Sequence, residues 1–143
     1  MTQGTEPYKY SISASILGGV VVGLVQAATP IFFWWLDPST VYAPPLAAIA
    51  GVYVGFAVAD GRWKVIAVES AVATAFIIVA IVAVTESPWF LVLGLAGHGF
   101  KDFWQHVTNY VNGTRWWPPF CAAVDFVVSA VIVLAIVAGI EFH

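Results

Sequence analysis

Residues 65–84, VIAVESAVATAFIIVAIVAV, run for 20 positions with one charged side chain, Glu69. Wound as an α-helix, such a run is about 30 Å long, the thickness of the hydrocarbon core of a bilayer. The stretch therefore reads as a membrane span, and its neighbours repeat the pattern. Residues 12–36, 43–59, 88–107 and 116–140 are also apolar, most of them within the roughly 17–25 residues that a crossing requires. The segment 43–59 is the shortest, and a re-entrant turn there would leave four spans. Over the whole chain 61% of residues are hydrophobic and 9% charged, against about 45–50% apolar and 25% charged in soluble domains. The sequence predicts an all-α integral membrane bundle of five transmembrane helices, a single domain over 1–143. That count leaves no room for a large catalytic module outside the membrane.

Charge sets the parity and the orientation. With five spans, all five basic residues fall on one side: Lys9, Arg62, Lys64 and Arg115, with Lys101 near a helix end. The other side receives Asp37, Glu86 and Glu141. By the positive-inside tendency the N-terminus lies in the cytoplasm and the C-terminus outside, as expected of a multi-pass protein of the cytoplasmic membrane. A re-entrant second segment would separate Lys9 from Arg62 and Lys64, so five spans are preferred. The seven tryptophans agree. Trp34, Trp35 and Trp89 fall at outer span ends and Trp63, Trp104, Trp116 and Trp117 at inner ones, where indole rings favour the headgroup level. The apolar run continues past the cleavage-like Val25-Gln26-Ala27 into Ile31, Phe32 and Phe33, so an uncleaved first span is expected. Net charge is -3 with no basic run, which argues against nucleic acid as a partner. The single cysteine, Cys121, has no partner for an internal disulfide.

Small residues at four-residue spacing mark faces where helices approach closely in lipid. Gly19 and Gly23 form one such pair, Ala47, Gly51 and Gly55 a second stripe, and Ala67, Ala71 and Ala75 a third. Packing within the chain is the simpler expectation; a homo-oligomer or a larger membrane complex is the alternative. Pro30 removes a backbone N–H inside the first span, predicting a kink, with Gln26 and Thr29 placed to satisfy the freed carbonyls.

The fourth segment breaks the apolar pattern. His98, Asp102 and His106 follow one another at four-residue intervals on one helical face, drifting about 40° per step. Each ionisable group near the bilayer centre costs roughly 2.5–3.5 kcal/mol on insertion scales. Depth counting brings Asp125 of the fifth segment to the level of His98, with Asp102 and His106 stepping toward the cytoplasm. The candidate site is therefore His98, Asp102, His106 and Asp125. Because His98 and His106 are about 12 Å apart along the helix, they cannot share one ion. An i, i+4 pair joined by Asp125 or Glu69 forms a mixed His/carboxylate set suited to zinc, iron or manganese. The same ladder could relay protons between the midplane and the cytoplasm, or its members could satisfy one another across a helix interface. Taken singly, Glu69 and Asp60 read as interfacial and Cys121 as a small packing residue.

His98-x3-Asp102-x3-His106, followed by Trp117-Pro118-Pro119-Phe120-Cys121 and Asp125, resembles a family of small bacterial multi-pass membrane proteins of unknown function. The likeness covers about the last third of the chain. Lys101 stands where that family's pattern has Trp, and Gln105 where a second His can stand. The resemblance implies a shared polar site and no particular reaction. Three functional classes follow from the residues: metal-assisted or acid–base conversion of a lipid-soluble substrate, proton or ion conduction, and a non-catalytic subunit of a larger complex.

Overall fold

The computed structural model describes residues 11–142, and they are helical with no strand among them. Lys9, counted above with the basic side, lies outside the described residues. The elements are α1 (Ile12–Ala27), a single turn α2 (Thr29–Phe32), α3 (Pro38–Asp60), α4 (Trp63–Thr85), α5 (Trp89–Thr108) and α6 (Trp117–Val137).

Local chemistry fixes the ends. The Ser11 hydroxyl accepts from the Ala14 N–H at 3.3 Å and starts α1. The helix is interrupted at Ala28, two residues before Pro30. The carbonyl that the missing Pro30 N–H would have bonded is that of Gln26, and it accepts instead from the Thr29 hydroxyl at 2.6 Å. The kink expectation holds, with Thr29 rather than Gln26 as the compensating group. Tyr42 donates to the neighbouring Ala27 carbonyl at 2.6 Å and ties this break to α3. The segment expected over 12–36 is helical only to Phe32.

The second segment differs more. Its expected start at residue 43 is corrected to Pro38, giving α3 a length of 23 residues, ample for a full crossing. Asp37 caps it by accepting from the Ser39 N–H at 2.7 Å, Pro38 occupies the first turn where no N–H is needed, and Pro44-Pro45 are carried inside the helix. Gly61, with φ 81°, closes α3 in the left-handed conformation that glycine adopts without strain. Asn109, at φ 48°, closes α5 in the same way.

From α3 onward consecutive helices pack side by side, whereas α1 packs on the last helix. α3 and α4 pair closely, α1 lies along α6, and α5 packs on α6 on one side and on the α3/α4 pair on the other. Gly19 and Gly23 set the α1–α6 contact: a Cβ at Gly19 would collide with the Phe120 carbonyl oxygen, and one at Gly23 would stand 3.0 Å from Val127. The other stripes turn outward. Gly51 and Gly55 meet nothing within 4 Å, and Ala67, Ala71 and Ala75 are exposed, so packing within the chain does not use them.

Two apolar clusters hold the bundle. One gathers Leu46, Leu91, Leu95, Val128 and Ile132; the other gathers Tyr53, Ala57, Val65 and Val111. The exterior carries large apolar side chains, among them Leu17, Val25, Ile31, Phe100 and Leu134, and six of the seven tryptophans are exposed. Such a coat suits lipid rather than water. Four helical stretches are long and apolar enough to cross a membrane: Ile12–Phe32, Pro38–Asp60, Trp63–Thr85 and Trp117–Val137. α5 is the exception, and its polarity is inverted. Leu91, Leu95, His98, Asp102 and Gln105 are buried, while Leu93, Phe100, Phe103, Trp104 and Val107 face outward.

Candidate functional site

The buried face of α5 meets α6 where three of the four candidate residues converge. His98 Nδ1 lies 2.8 Å from Asp125 Oδ2 and 3.2 Å from Asp102 Oδ2, and all three side chains are fully buried. His98 and Asp102 are one helical turn apart on α5, and Asp125 faces them from α6. The depth counting that put Asp125 level with His98 agrees with this geometry.

Cys121, one turn before Asp125 on α6, joins the same cluster. Its Sγ approaches Asp125 Oδ2 at 4.0 Å, and one ligand atom from each of His98, Asp102, Cys121 and Asp125 falls in a group spanning no more than 4.8 Å. The expectation that Cys121 only packs is therefore incomplete: it is buried, and its sulfur points into the cluster.

His106 does not join them. It is half-exposed and lines a groove with Phe103, Pro118 and Pro119. The 40° drift per four residues explains this, since two steps carry a side chain about 80° from His98 and off the buried face. Gln105 takes the buried position instead, donating to the Val111 carbonyl at 3.1 Å and so fixing the α5–α6 loop.

Neighbouring helices complete the surroundings. The Tyr53 hydroxyl, from α3, donates to Asp102 Oδ1 at 2.5 Å. The imidazole of His98 sits against Phe76 of α4, ring centres 5.0 Å apart, and against Tyr53 at 5.8 Å. Lys101 reaches across to α4, where its Nζ is 2.6 Å from Glu69 Oε2, and passes 3.3 Å above the centre of the Tyr53 ring. Glu69 is thus a buried ion-pair partner rather than an interfacial group.

Sequence reasoning missed Tyr53 and the Lys101–Glu69 pair. A tyrosine set in the middle of an apolar helix does carry a signal, because its buried hydroxyl needs a partner. Three polar atoms of the cluster have no hydrogen-bond partner: His98 Nε2, Asp102 Oδ2 and Asp125 Oδ1. Buried polar groups in folded proteins are nearly always satisfied, so these atoms stand out among the described residues.

Asp60 belongs to a separate group at the bundle end. It accepts from Arg62 Nε at 2.6 Å and from the Asn112 N–H at 2.8 Å, while an Arg62 terminal nitrogen donates to the Tyr110 carbonyl at 2.6 Å. Its hydrogen bond to Asp60 holds the Arg62 guanidinium above its ordinary pKa. This knot fastens the α3–α4 turn to the α5–α6 loop and takes no part in the buried cluster.

Comparison with protein-family models, with curated proteins and with solved structures returns no match for the chain.

Proposed function

We propose that the chain is a five-span protein of the cytoplasmic membrane, N-terminus inside, that binds one divalent transition metal ion between α5 and α6 through His98, Asp102, Cys121 and Asp125. The observation that carries this reading is a charge imbalance. Asp102 and Asp125 converge on a single imidazole, and the nearest ammonium, Lys101, is already committed to Glu69. Leaving two carboxylates uncompensated in a low-dielectric interior is prohibitive, so protons or a cation must offset them. A divalent ion balances the two carboxylates, and ligation by Cys121 as a thiolate would leave one net negative charge, with the Lys101 ammonium nearby. The mixed nitrogen, oxygen and sulfur donors suit zinc or iron, with manganese favoured less by the thiol. The unpartnered oxygens of Asp102 and Asp125 fit the role, and Tyr53 would orient Asp102 from behind as a hydrogen-bonding support. Such an ion would supply Lewis acidity to a substrate able to enter from lipid.

Metal analysis of the detergent-purified protein tests the reading. About one equivalent is expected in the parent chain, falling below a tenth in Asp102→Ala and Asp125→Ala variants that keep their helical circular dichroism. A metal-free parent protein after growth with zinc, iron and manganese would remove the proposal.

Proton conduction is the second reading, favoured by the close succession of Tyr53, Asp102, His98 and Asp125, with the Lys101–Glu69 pair beside the Tyr53 ring. Here the same protons that neutralise the carboxylates would move along it. Proton flux into liposomes that is abolished by His98→Ala, from a protein free of metal, would select this reading over the first.

A further inference from the structure

Two depressions adjoin where α1 lies across α5 and α6, on a face away from the His98 cluster. One, about 360 Å³, is walled almost wholly by apolar side chains, including Ile16, Phe103, Pro119, Ala122 and Phe126. The other, about 340 Å³, is lined by Ile12, His106, Val107, Asn109 and Arg115. Ile12 and His106 line both, so the two make one slot with an apolar floor and a polar mouth. The floor follows α6 from Pro118 to Phe126, two turns or about 12 Å. No acidic residue lines either part, and Arg115 is exposed with no ion pair among the described residues.

We infer that this slot binds an anionic phospholipid of the surrounding bilayer, with an acyl chain against Ile16, Ala122 and Phe126 and the headgroup phosphate held by Arg115, His106 and Asn109. Charge complementarity selects the headgroup: among the described residues the mouth offers a guanidinium, an imidazole and an amide, and no carboxylate. A planar guanidinium matches a phosphate with paired hydrogen bonds. Depth selects a lipid over a free anion, because Trp104 near the end of α5 and Trp116 just before α6, both exposed, lie at the same end of these helices as His106 and Arg115, and aromatic rings mark the headgroup level. Basic pockets between helices at the cytoplasmic interface are a physically favoured setting for acidic headgroups. The site also gives His106 a role that the buried cluster does not.

The inference does not depend on the metal reading, and its test reads lipid alone. The full-length protein in neutral detergent is titrated with phosphatidylglycerol, phosphatidylcholine or inorganic phosphate, and bound lipid is counted by native mass spectrometry alongside thermal unfolding. Phosphatidylglycerol should bind at about one per chain and at least tenfold more tightly than phosphatidylcholine, with no shift from phosphate. Arg115→Gln should lose that preference and Arg115→Lys retain most of it. Ala122→Phe, which fills the floor, should weaken phosphatidylglycerol at least tenfold while helical circular dichroism is unchanged. Equal binding of the two lipids, or a phosphate effect equal to that of phosphatidylglycerol, would overturn the inference. So would slot residues that become shielded only when two copies associate without lipid.

Discussion

Tyr53 is the residue on which the cluster's geometry turns, because among the described residues its hydroxyl is the one donor that reaches Asp102 from outside the α5–α6 interface. Tyr53→Phe leaves Asp102 Oδ1 buried without that donor. The expected cost is about 1–3 kcal/mol, measurable as a lower unfolding midpoint in detergent. Under the metal reading, affinity should also fall by roughly 10–100-fold, as for other hydrogen-bonding supports of ligands. A Tyr53→Phe protein with unchanged stability and unchanged metal affinity would show that the contact contributes nothing. At this scale the sequence was only partly transparent. His98, Asp102 and Asp125 stand out as ionisable groups in apolar surroundings, and counting helical rise was enough to pair His98 with Asp125. Cys121 and Tyr53 look like ordinary core residues until α3 and α6 are set against α5. The Lys101 pair was hidden for a different reason: Lys101 is about 100° around the helix from Asp102, and its long stem carries the ammonium across to Glu69 on another helix.

Among the elements, the α1–α6 and α4–α5 contacts make opposite kinds of prediction. Gly19→Leu should detach α1 from α6, since even a Cβ there collides with backbone. Gly51→Leu, facing open space, should shift the unfolding midpoint little, within about 0.5 kcal/mol of the parent. Comparing their thermal unfolding and protease sensitivity checks both, and a tolerated Gly19→Leu would contradict the packing. For the buried ion pair, Lys101→Met alone strands Glu69 and should cost about 3–5 kcal/mol, whereas Lys101→Met with Glu69→Leu should recover most of that loss. If the double variant is as unstable as the single, the pair matters through packing rather than charge. The helices themselves were legible from apolar run length. Their edges were not: the second apolar run was marked from residue 43, while the helix starts at the Asp37 cap. Small-residue spacing identified faces of close approach without saying which of them this chain uses.

For the molecule as a whole, orientation is the property that every functional reading shares. With Cys121 buried, single cysteines can be added at Ser87 and Asn112, in the α4–α5 and α5–α6 connections. A membrane-impermeant maleimide should label Ser87→Cys in intact cells and Asn112→Cys only after permeabilisation. The reverse pattern would invert the protein, and labelling of both from one side would exclude a crossing by α5. Apolar run length counted 88–107 as a span and charge was needed only for segment 43–59, yet by hydropathy four helices qualify and α5 does not, because it carries His98, Asp102 and Gln105 on its buried face with phenylalanines and Trp104 outward. That inverted helix has a consequence for biosynthesis. α5 leaves the ribosome ahead of α6, so His98 and Asp102 emerge while Asp125, already made, is still inside the exit tunnel. If α5 crosses the membrane, it is a poor substrate for insertion on its own, and joint insertion with α6 is favoured. Chains halted after Thr108, which lack Asp125, should be retained by the insertion machinery or degraded, and a pulse-chase of truncated against full-length chains checks this.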